Sequence, residues 1–169
     1  AERAQPVALT PICSDLRAMM LPFDPSLTPT AANLGALARK YARENPDTAR
    51  DGWVRKWTAH WRRALKAGER PARGMEMDAH FLRLGDVAFL GLAAEVMAEY
   101  GLWLRERLGG KLIVAGYTNG EIGYLPTREA IGQGGYEGAF HLYDNHPAPF
   151  DPGIQDAVLA VAEKMARKC

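Results

Sequence analysis

The stretch "GMEMDAHFLRLGDVAFLGLA", residues 74–93, is the strongest indication of the fold class in this sequence. It contains two apolar runs that meet at Gly85 and Asp86. A glycine beside an aspartate between two such runs is typical of a tight turn, because glycine accepts the positive φ that short hairpin turns require. The stretch therefore predicts a β-hairpin.

The residues that follow the hairpin predict a helix and then another strand. The segment "EVMAEYGLWLRERLGG" (95–110) has the pattern of an amphipathic helix that ends at Gly109 and Gly110. The segment "KLIVAGY" (111–117) predicts a buried strand. A succession of strand, helix and strand favours an α/β fold, in which a mixed β-sheet is flanked by helices.

The remaining segments complete this architecture. Prolines punctuate residues 6–24, which predict one or two strands and no helix. Residues 31–45 and 46–68 have apolar side chains at helical spacing and predict a pair of helices. A short helix is expected in 126–132 and a terminal helix in 151–168.

Composition limits the possible functions. The 169 residues fit a single domain over residues 1–169, and 21 Lys and Arg against 20 Asp and Glu indicate no nucleic-acid partner. No apolar run approaches the roughly 20 residues of a transmembrane segment. Cys13 and Cys169 lie near opposite ends without CxxC spacing, so we expect neither a disulfide framework nor a cysteine zinc site, and the redox compartment stays open.

The common nucleophile motifs are absent from this sequence. Ser14 and Ser26 are its two serines, and neither lies in a GxSxG motif, which excludes a serine hydrolase elbow. No GxxxxGK[ST] motif occurs, so a phosphate-binding loop of that kind is excluded. The segment "HLYDNH" offers His141, Asp144 and His146, but it lacks HExxH spacing and is interpreted as an exposed loop.

A tryptophan stripe marks the second predicted helix. Trp53, Trp57 and Trp61 lie four residues apart and alternate with basic side chains. This spacing predicts a core stripe with cations reaching out to solvent. The alternative is a basic aromatic face for RNA or an anionic membrane.

Residues 115–138, "AGYTNGEIGYLPTREAIGQGGYEG", concentrate seven glycines and three tyrosines. Such a backbone can hold polar side chains at fixed positions, which is typical of a functional loop. Tyr124 follows a predicted turn at Asn119 and Gly120, and Tyr136 follows a glycine pair. Glu95 comes directly after an apolar strand, where α/β proteins often place functional groups.

Three segments together resemble the later part of the neutral/alkaline ceramidase family: "RLGDVAFLGLAAEVMAEYG", "VAGYTNGEIGYLPTREA" and "GGYEGAF". These enzymes are zinc-dependent amidases that split ceramide into sphingosine and a fatty acid. The resemblance covers mainly residues 74–140, and the order of the segments agrees. It implies that the chain is the C-terminal half of a larger α/β catalytic domain, with Ala1 at an internal boundary, and export from the cytoplasm is a weak hint.

The resemblance also implies roles for three residues. Glu95 and Tyr124 correspond to zinc ligands, and Tyr136 corresponds to a tyrosine that hydrogen-bonds the tetrahedral intermediate, so the three should converge on one pocket. The histidine ligands of the family have no counterpart here, and Ala93 and Ala94 replace its usual Pro-Gly. We therefore expect zinc binding and cleavage of a lipid-like amide only together with the N-terminal half of the enzyme. The rival interpretation is a non-enzymatic binding module that has lost the metal.

Overall fold

The computed structural model describes residues 10–44, 48–109 and 111–169, with side chains of the second helix described from Gly52 onward. The strands are β1 Ile12–Pro22, β2 Gly74–Leu84, β3 Val87–Leu92, β4 Glu95–Val96, β5 Leu112–Ala115 and β6 Tyr124–Leu125. The helices are α1 Leu34–Glu44, α2 Thr48–Lys66, α3 Ala98–Leu108, α4 Arg128–Gln133 and α5 Ile154–Lys168, with 3₁₀ turns at Pro25–Leu27 and Phe140–Leu142.

The four longer strands form a mixed sheet in the order β1-β2-β3-β5. Strands β2 and β3 are antiparallel, with Leu84 opposite Val87, and β5 lies parallel to β3. Gly85 adopts a φ of 57° in the connecting turn. The predicted hairpin and the α/β class with flanking helices are therefore confirmed.

The described chain divides into two compact units. The first, called the sheet unit, comprises residues 10–19, 76–109, 111–122 and 156–169. The second, called the helical unit, comprises residues 20–44, 48–75 and 123–155. Buried side chains of the sheet unit come from β2, β3, α3 and α5: Met77, Phe81, Leu90, Leu92, Tyr100, Leu104, Val158 and Met165.

The tryptophan stripe forms the core of the helical unit. Trp57 is fully buried and Trp61 is nearly so, while Trp53 is half-buried at the edge of the same cluster. The ring of Tyr41 on α1 meets Trp57 edge to face, with centroids 5.3 Å apart. The prediction of a core stripe is thus confirmed, and the two inner rings hold α1 and α2 together.

The cysteine prediction is wrong, because Cys13 and Cys169 form a disulfide with 5.4 Å between their Cα atoms. Beside it, Lys168 donates a hydrogen bond to Asp15 at 2.6 Å, and Arg17 donates a second at 2.7 Å. The bond to Lys168 is the main reason that the pKa of Asp15 lies below its usual value. β1 and the end of α5 are therefore joined by a covalent bond and an ion-pair cluster.

Two local predictions also need correction. Glu95 does not begin a helix: it lies in the two-residue strand β4, and α3 begins at Ala98 after Met97 at the N-cap. The strand β5 is buried only at Leu112, whereas Ile113 is 48% exposed because successive side chains of a strand point to opposite faces of the sheet. The cap at Gly109 is confirmed, since its N–H donates to the carbonyl of Arg105, while Gly110 lies outside the described residues.

The remaining fold predictions concern the N-terminal segment and the helices near the C-terminus. The N-terminal segment contains one strand within the described residues, and its part before residue 10 lies outside them. The helices expected in 126–132 and 151–168 are confirmed as α4 and α5. In the described part of the chain, no helix combines the length and the apolar character needed to cross a bilayer.

Candidate functional site

The glycine-rich segment is attached to the end of β3 by its backbone. The N–H of Thr118 donates to the carbonyl of Leu92, that of Tyr117 to Ala94 and that of Ile122 to Ala93, all at 3.0 to 3.1 Å. These bonds satisfy the carbonyl groups directly before Glu95, because buried backbone polar groups need hydrogen-bond partners. The loop and the Glu95 backbone therefore form one fixed arrangement within the sheet unit.

Position 116 requires glycine because the backbone of the loop lies very close to the carbonyl group of Ala94. A Cβ at Gly116 would lie 2.7 Å from the carbonyl oxygen of Ala94, which is closer than a methyl group allows. Downstream, Asn119 and Gly120 both have positive φ, at 64° and 147°, as expected of turn residues. The glycines of this half of the segment thus let the loop lie directly on the strand end.

Tyr117 is the neighbour of Glu95 that the sequence analysis missed. Its hydroxyl is hydrogen-bonded to the Glu95 carboxylate, and this bond is the main cause that raises the pKa of Tyr117 above its usual value. Nearby Glu121 raises that pKa further by repulsion of the phenolate. Tyr117 has a φ of 54°, a rare conformation for a non-glycine residue and therefore a signal of a constrained position.

The two other predicted site residues meet in the helical unit. The rings of Tyr124 and Tyr136 pack edge to face, with centroids 5.6 Å apart and planes at 88°. The ring of Phe140 lies 5.1 Å from Tyr124 and 6.0 Å from Tyr136, and Trp53 closes on Tyr136 at 5.4 Å. The pair is therefore held by aromatic neighbours on two sides.

Local backbone features explain how the chain brings these two tyrosines together. Gly123 has a φ of 86°, and a Cβ there would lie 3.0 Å from the ring of Phe140. Between the tyrosines, Thr127 caps α4 by accepting a hydrogen bond from the Ala130 N–H at 3.1 Å. Gly134 ends α4 in the left-handed conformation. A short capped helix thus returns the chain so that Tyr136 reaches Tyr124.

The predicted convergence of Glu95 with both tyrosines stays a prediction. Glu95 belongs to the sheet unit with Tyr117, whereas Tyr124 and Tyr136 belong to the helical unit. Within the described residues, no three His, Cys, Asp or Glu side chains are grouped so that they could hold a metal ion. A complete metal shell from such side chains is therefore not present in that part of the chain.

The interpretation of "HLYDNH" as an exposed loop is wrong for His141. This residue lies in the 3₁₀ turn Phe140–Leu142 and is buried, with its ring 5.0 Å from that of Tyr41. Its Nδ1 lies 3.3 Å from the carbonyl of Gly138, and within the described residues its Nε2 has no hydrogen-bond partner. His146 and Asp144 form a separate contact at 3.8 Å.

Burial of His141 predicts a loss of stability in acid. Desolvation is the main cause that lowers the pKa of His141 to about 3, with Lys40 and His146 adding repulsion. Between that value and the ordinary pKa near 6.5, the unfolded state binds more protons than the folded state. The stability that neutral His141 contributes is therefore fully present above about pH 6.5. Below that pH, the free energy of unfolding falls by up to about 1.4 kcal/mol per pH unit.

Urea unfolding at pH 7 and pH 5 measures this effect. The variant His141→Leu removes the imidazole and should lose less stability on acidification than the unmodified chain, since it carries only the contribution of the other titrating groups. An identical loss in the two proteins would contradict the assignment to His141.

Comparison with known proteins is informative at the level of the fold. No family model and no curated protein matches the chain. Among solved structures, the crystal structure of neutral ceramidase from Pseudomonas aeruginosa matches with 16% identity and a TM-score of 0.55, covering 94% of this chain and 28% of that one. A structure described as ceramidase complexed with C2 matches with 24% identity and a TM-score of 0.45, covering 54% and 14%.

The chain therefore spans less than a third of the length of either solved protein. The likeness to the Pseudomonas aeruginosa structure extends over almost all of this chain, so it is not limited to one motif. The resemblance seen in the sequence is confirmed to this extent: the chain shares its fold with the part of neutral ceramidase that it covers.

Proposed function

We propose that the chain is part of a ceramidase-like, zinc-dependent amidohydrolase that cleaves the N-acyl amide bond of a lipid-like substrate. The observation that carries the proposal is the edge-to-face pair of Tyr124 and Tyr136, 5.6 Å apart between centroids. The family resemblance implies that Tyr124 is a zinc ligand and that Tyr136 hydrogen-bonds the tetrahedral intermediate, and the packing of one ring on the other is what a shared site requires.

Glu95 and Tyr124 would hold the zinc ion. Carboxylate oxygens are regular zinc ligands, and a hydroxyl bonded to the free side of a ligating carboxylate orients it. Tyr117 supplies such a bond to Glu95, which supports this assignment. When bound, zinc lowers the pKa of a water molecule and polarises the amide carbonyl.

Glu95 and Tyr124 do not make a complete zinc site. Hydrolytic zinc sites use three or more protein ligands, so one carboxylate and one phenol are too few. We propose that the missing ligands are imidazoles of the N-terminal half of the enzyme, which is therefore the partner of this chain. On this view the chain is catalytically incompetent by itself.

Tyr136 would donate a hydrogen bond to the oxyanion that develops from the amide carbonyl. Its side chain is 42% exposed, so a substrate can reach it, while Trp53, Tyr124 and Phe140 restrict its ring. A donor that is already oriented stabilises developing charge without reorganisation during the reaction. The packing around Tyr136 therefore suits this task.

The test is co-expression of the chain with the N-terminal half, followed by measurement of bound zinc and of hydrolysis of an N-acyl amide. We expect stoichiometric zinc and activity in the co-expressed protein. Glu95→Gln should remove both, whereas Glu106→Gln, an exposed α3 residue, should change neither. Tyr136→Phe should keep the zinc and lower kcat by about 10²- to 10³-fold, as the loss of one oxyanion donor does.

Two results would contradict the proposal. A fall in kcat after Tyr143→Phe as large as that after Tyr136→Phe would assign the effect to the aromatic cluster, because both rings contact Phe140. Stoichiometric zinc in the isolated chain that survives Glu95→Gln would exclude the proposed ligands. Attention would then move to His141, Asp144 and His146.

A second candidate function is a non-catalytic binding module on the same scaffold. The observation in its favour is the exposure of large aromatic side chains, since Tyr117 is 60% and Tyr143 is 55% exposed. Exposed tyrosines are common in binding surfaces. Co-expressed protein that binds an N-acyl amide without hydrolysing it, and that lacks zinc, would favour this candidate.

A further inference from the structure

From Gly52 to Lys66, one face of α2 is basic. From Gly52 to Lys66 the helix has five cations and no acidic residue: Arg55, Lys56, Arg62, Arg63 and Lys66. At about 100° per residue they occupy an arc of roughly 120°. Trp57 and Trp61 lie on the opposite side and are buried in the core. The core-facing stripe thus leaves the cations together on the outer surface.

Four of these cations form no ion pair within the described residues. In the part of the chain that the structure describes, the ion pairs seen involve cations of other elements, and none includes the four residues that we call the basic face: Lys56, Arg62, Arg63 and Lys66. Three of the four line a shallow groove of about 560 Å³ together with His60 and Asn145, without an acidic side chain. The chain as a whole has a net charge of only +1, so the charge is local.

We propose that the basic face of α2 docks on an anionic lipid bilayer. Charge complementarity favours an anionic partner. Each Lys or Arg near an anionic membrane surface strengthens binding to it by about fivefold. A bilayer is preferred to single-stranded nucleic acid, which is bound by stacking of bases on exposed aromatic rings. Trp57 and Trp61 are 0% and 7% exposed, so neither can serve as a stacking platform.

The choice of a bilayer rests on the proposed function, because a lipid-like amide is found in membranes and its hydrolysis takes place at their surface. The apolar side of α2 is buried in the core of the helical unit, so Trp57 and Trp61 cannot insert between lipids. Binding is therefore electrostatic, reversible and weakened by salt.

The test is sedimentation of the full chain with vesicles, which requires no enzymatic activity. We expect binding to an equal mixture of phosphatidylcholine and phosphatidylserine and none to phosphatidylcholine alone. Replacing all four residues of the basic face by Gln should weaken binding by about fivefold per charge removed. The control removes four exposed cations of α3 and α5 and should bind like the unmodified chain: Arg105→Gln, Arg107→Gln, Lys164→Gln and Arg167→Gln.

Several outcomes would overturn the docking proposal. One is equal loss of vesicle binding in the two four-charge variants, and another is vesicle binding that is unchanged by added salt. A third is the absence of vesicle binding, with or without binding of a single-stranded oligonucleotide. Arg63→Glu, a single charge reversal at an exposed position, gives the same comparison if the four-charge variant does not fold. Failure of the amidase assay would leave these binding results intact, so the two proposals can fail separately.

Discussion

Replacing Cys13 and Cys169 together by alanine is expected to lower the free energy of unfolding by about 5 kcal/mol. The two residues are 156 positions apart, so their disulfide closes a loop that includes almost the entire described chain. A cross-link of that span removes much conformational freedom from the unfolded state, and its stabilisation grows with loop length. Denaturation in guanidinium chloride without reductant measures the difference.

A reductant provides the matched control for this prediction. It should bring the unmodified chain down to the stability of the double variant and leave the double variant unchanged. The ion pair of Lys168 with Asp15 is present in both proteins, so the difference between them measures the covalent bond. A denaturation midpoint that reductant does not move would contradict the role assigned to the disulfide.

Trp57→Ala is expected to lower the free energy of unfolding by about 3 to 5 kcal/mol. The ring is fully buried between α1 and α2, so its removal leaves a large cavity in the helical unit. Its Nε1 also donates a hydrogen bond to the carbonyl of His146 at 2.7 Å, and the substitution leaves this acceptor without its partner. Urea denaturation followed by circular dichroism measures the loss.

Two variants separate the causes of that loss. Trp57→Phe retains most of the ring but not the donor, so it should cost less than Trp57→Ala, on the order of 1 to 3 kcal/mol. Leu102→Ala changes a side chain that is 59% exposed and should change stability by less than about 0.5 kcal/mol. If Trp57→Ala left stability unchanged but abolished binding to lipid or to another protein, the binding-module interpretation would gain.

The parts of the fold that the sequence predicts are those with local causes. The hairpin depends on one turn at Gly85 and Asp86 between two apolar runs, and both signals are contained in twenty residues. The tryptophan stripe depends on a four-residue repeat, which places Trp57 and Trp61 on one side of a helix whatever that side contacts. Local geometry of this kind survives in the complete structure.

The parts that the sequence does not predict depend on contacts between distant segments. The disulfide joins two positions whose separation carries no spacing signal. His141 becomes buried because the ring of Tyr41, a hundred positions earlier, covers it. The bond of Tyr117 to Glu95 depends on the loop lying against the end of β3. Of the candidate site, the family resemblance predicted the meeting of Tyr124 with Tyr136, and the roles of both tyrosines and of Glu95 stay predictions.

The disulfide also changes the topology of the molecule. With Cys13 joined to Cys169, the polypeptide between them is a covalent ring. One cut in the backbone of a ring opens it without dividing it, so a protease that cleaves once between these cysteines produces no separate fragment until the disulfide is reduced. The two units both lie on this ring, and a single break in the backbone therefore leaves them parts of one molecule.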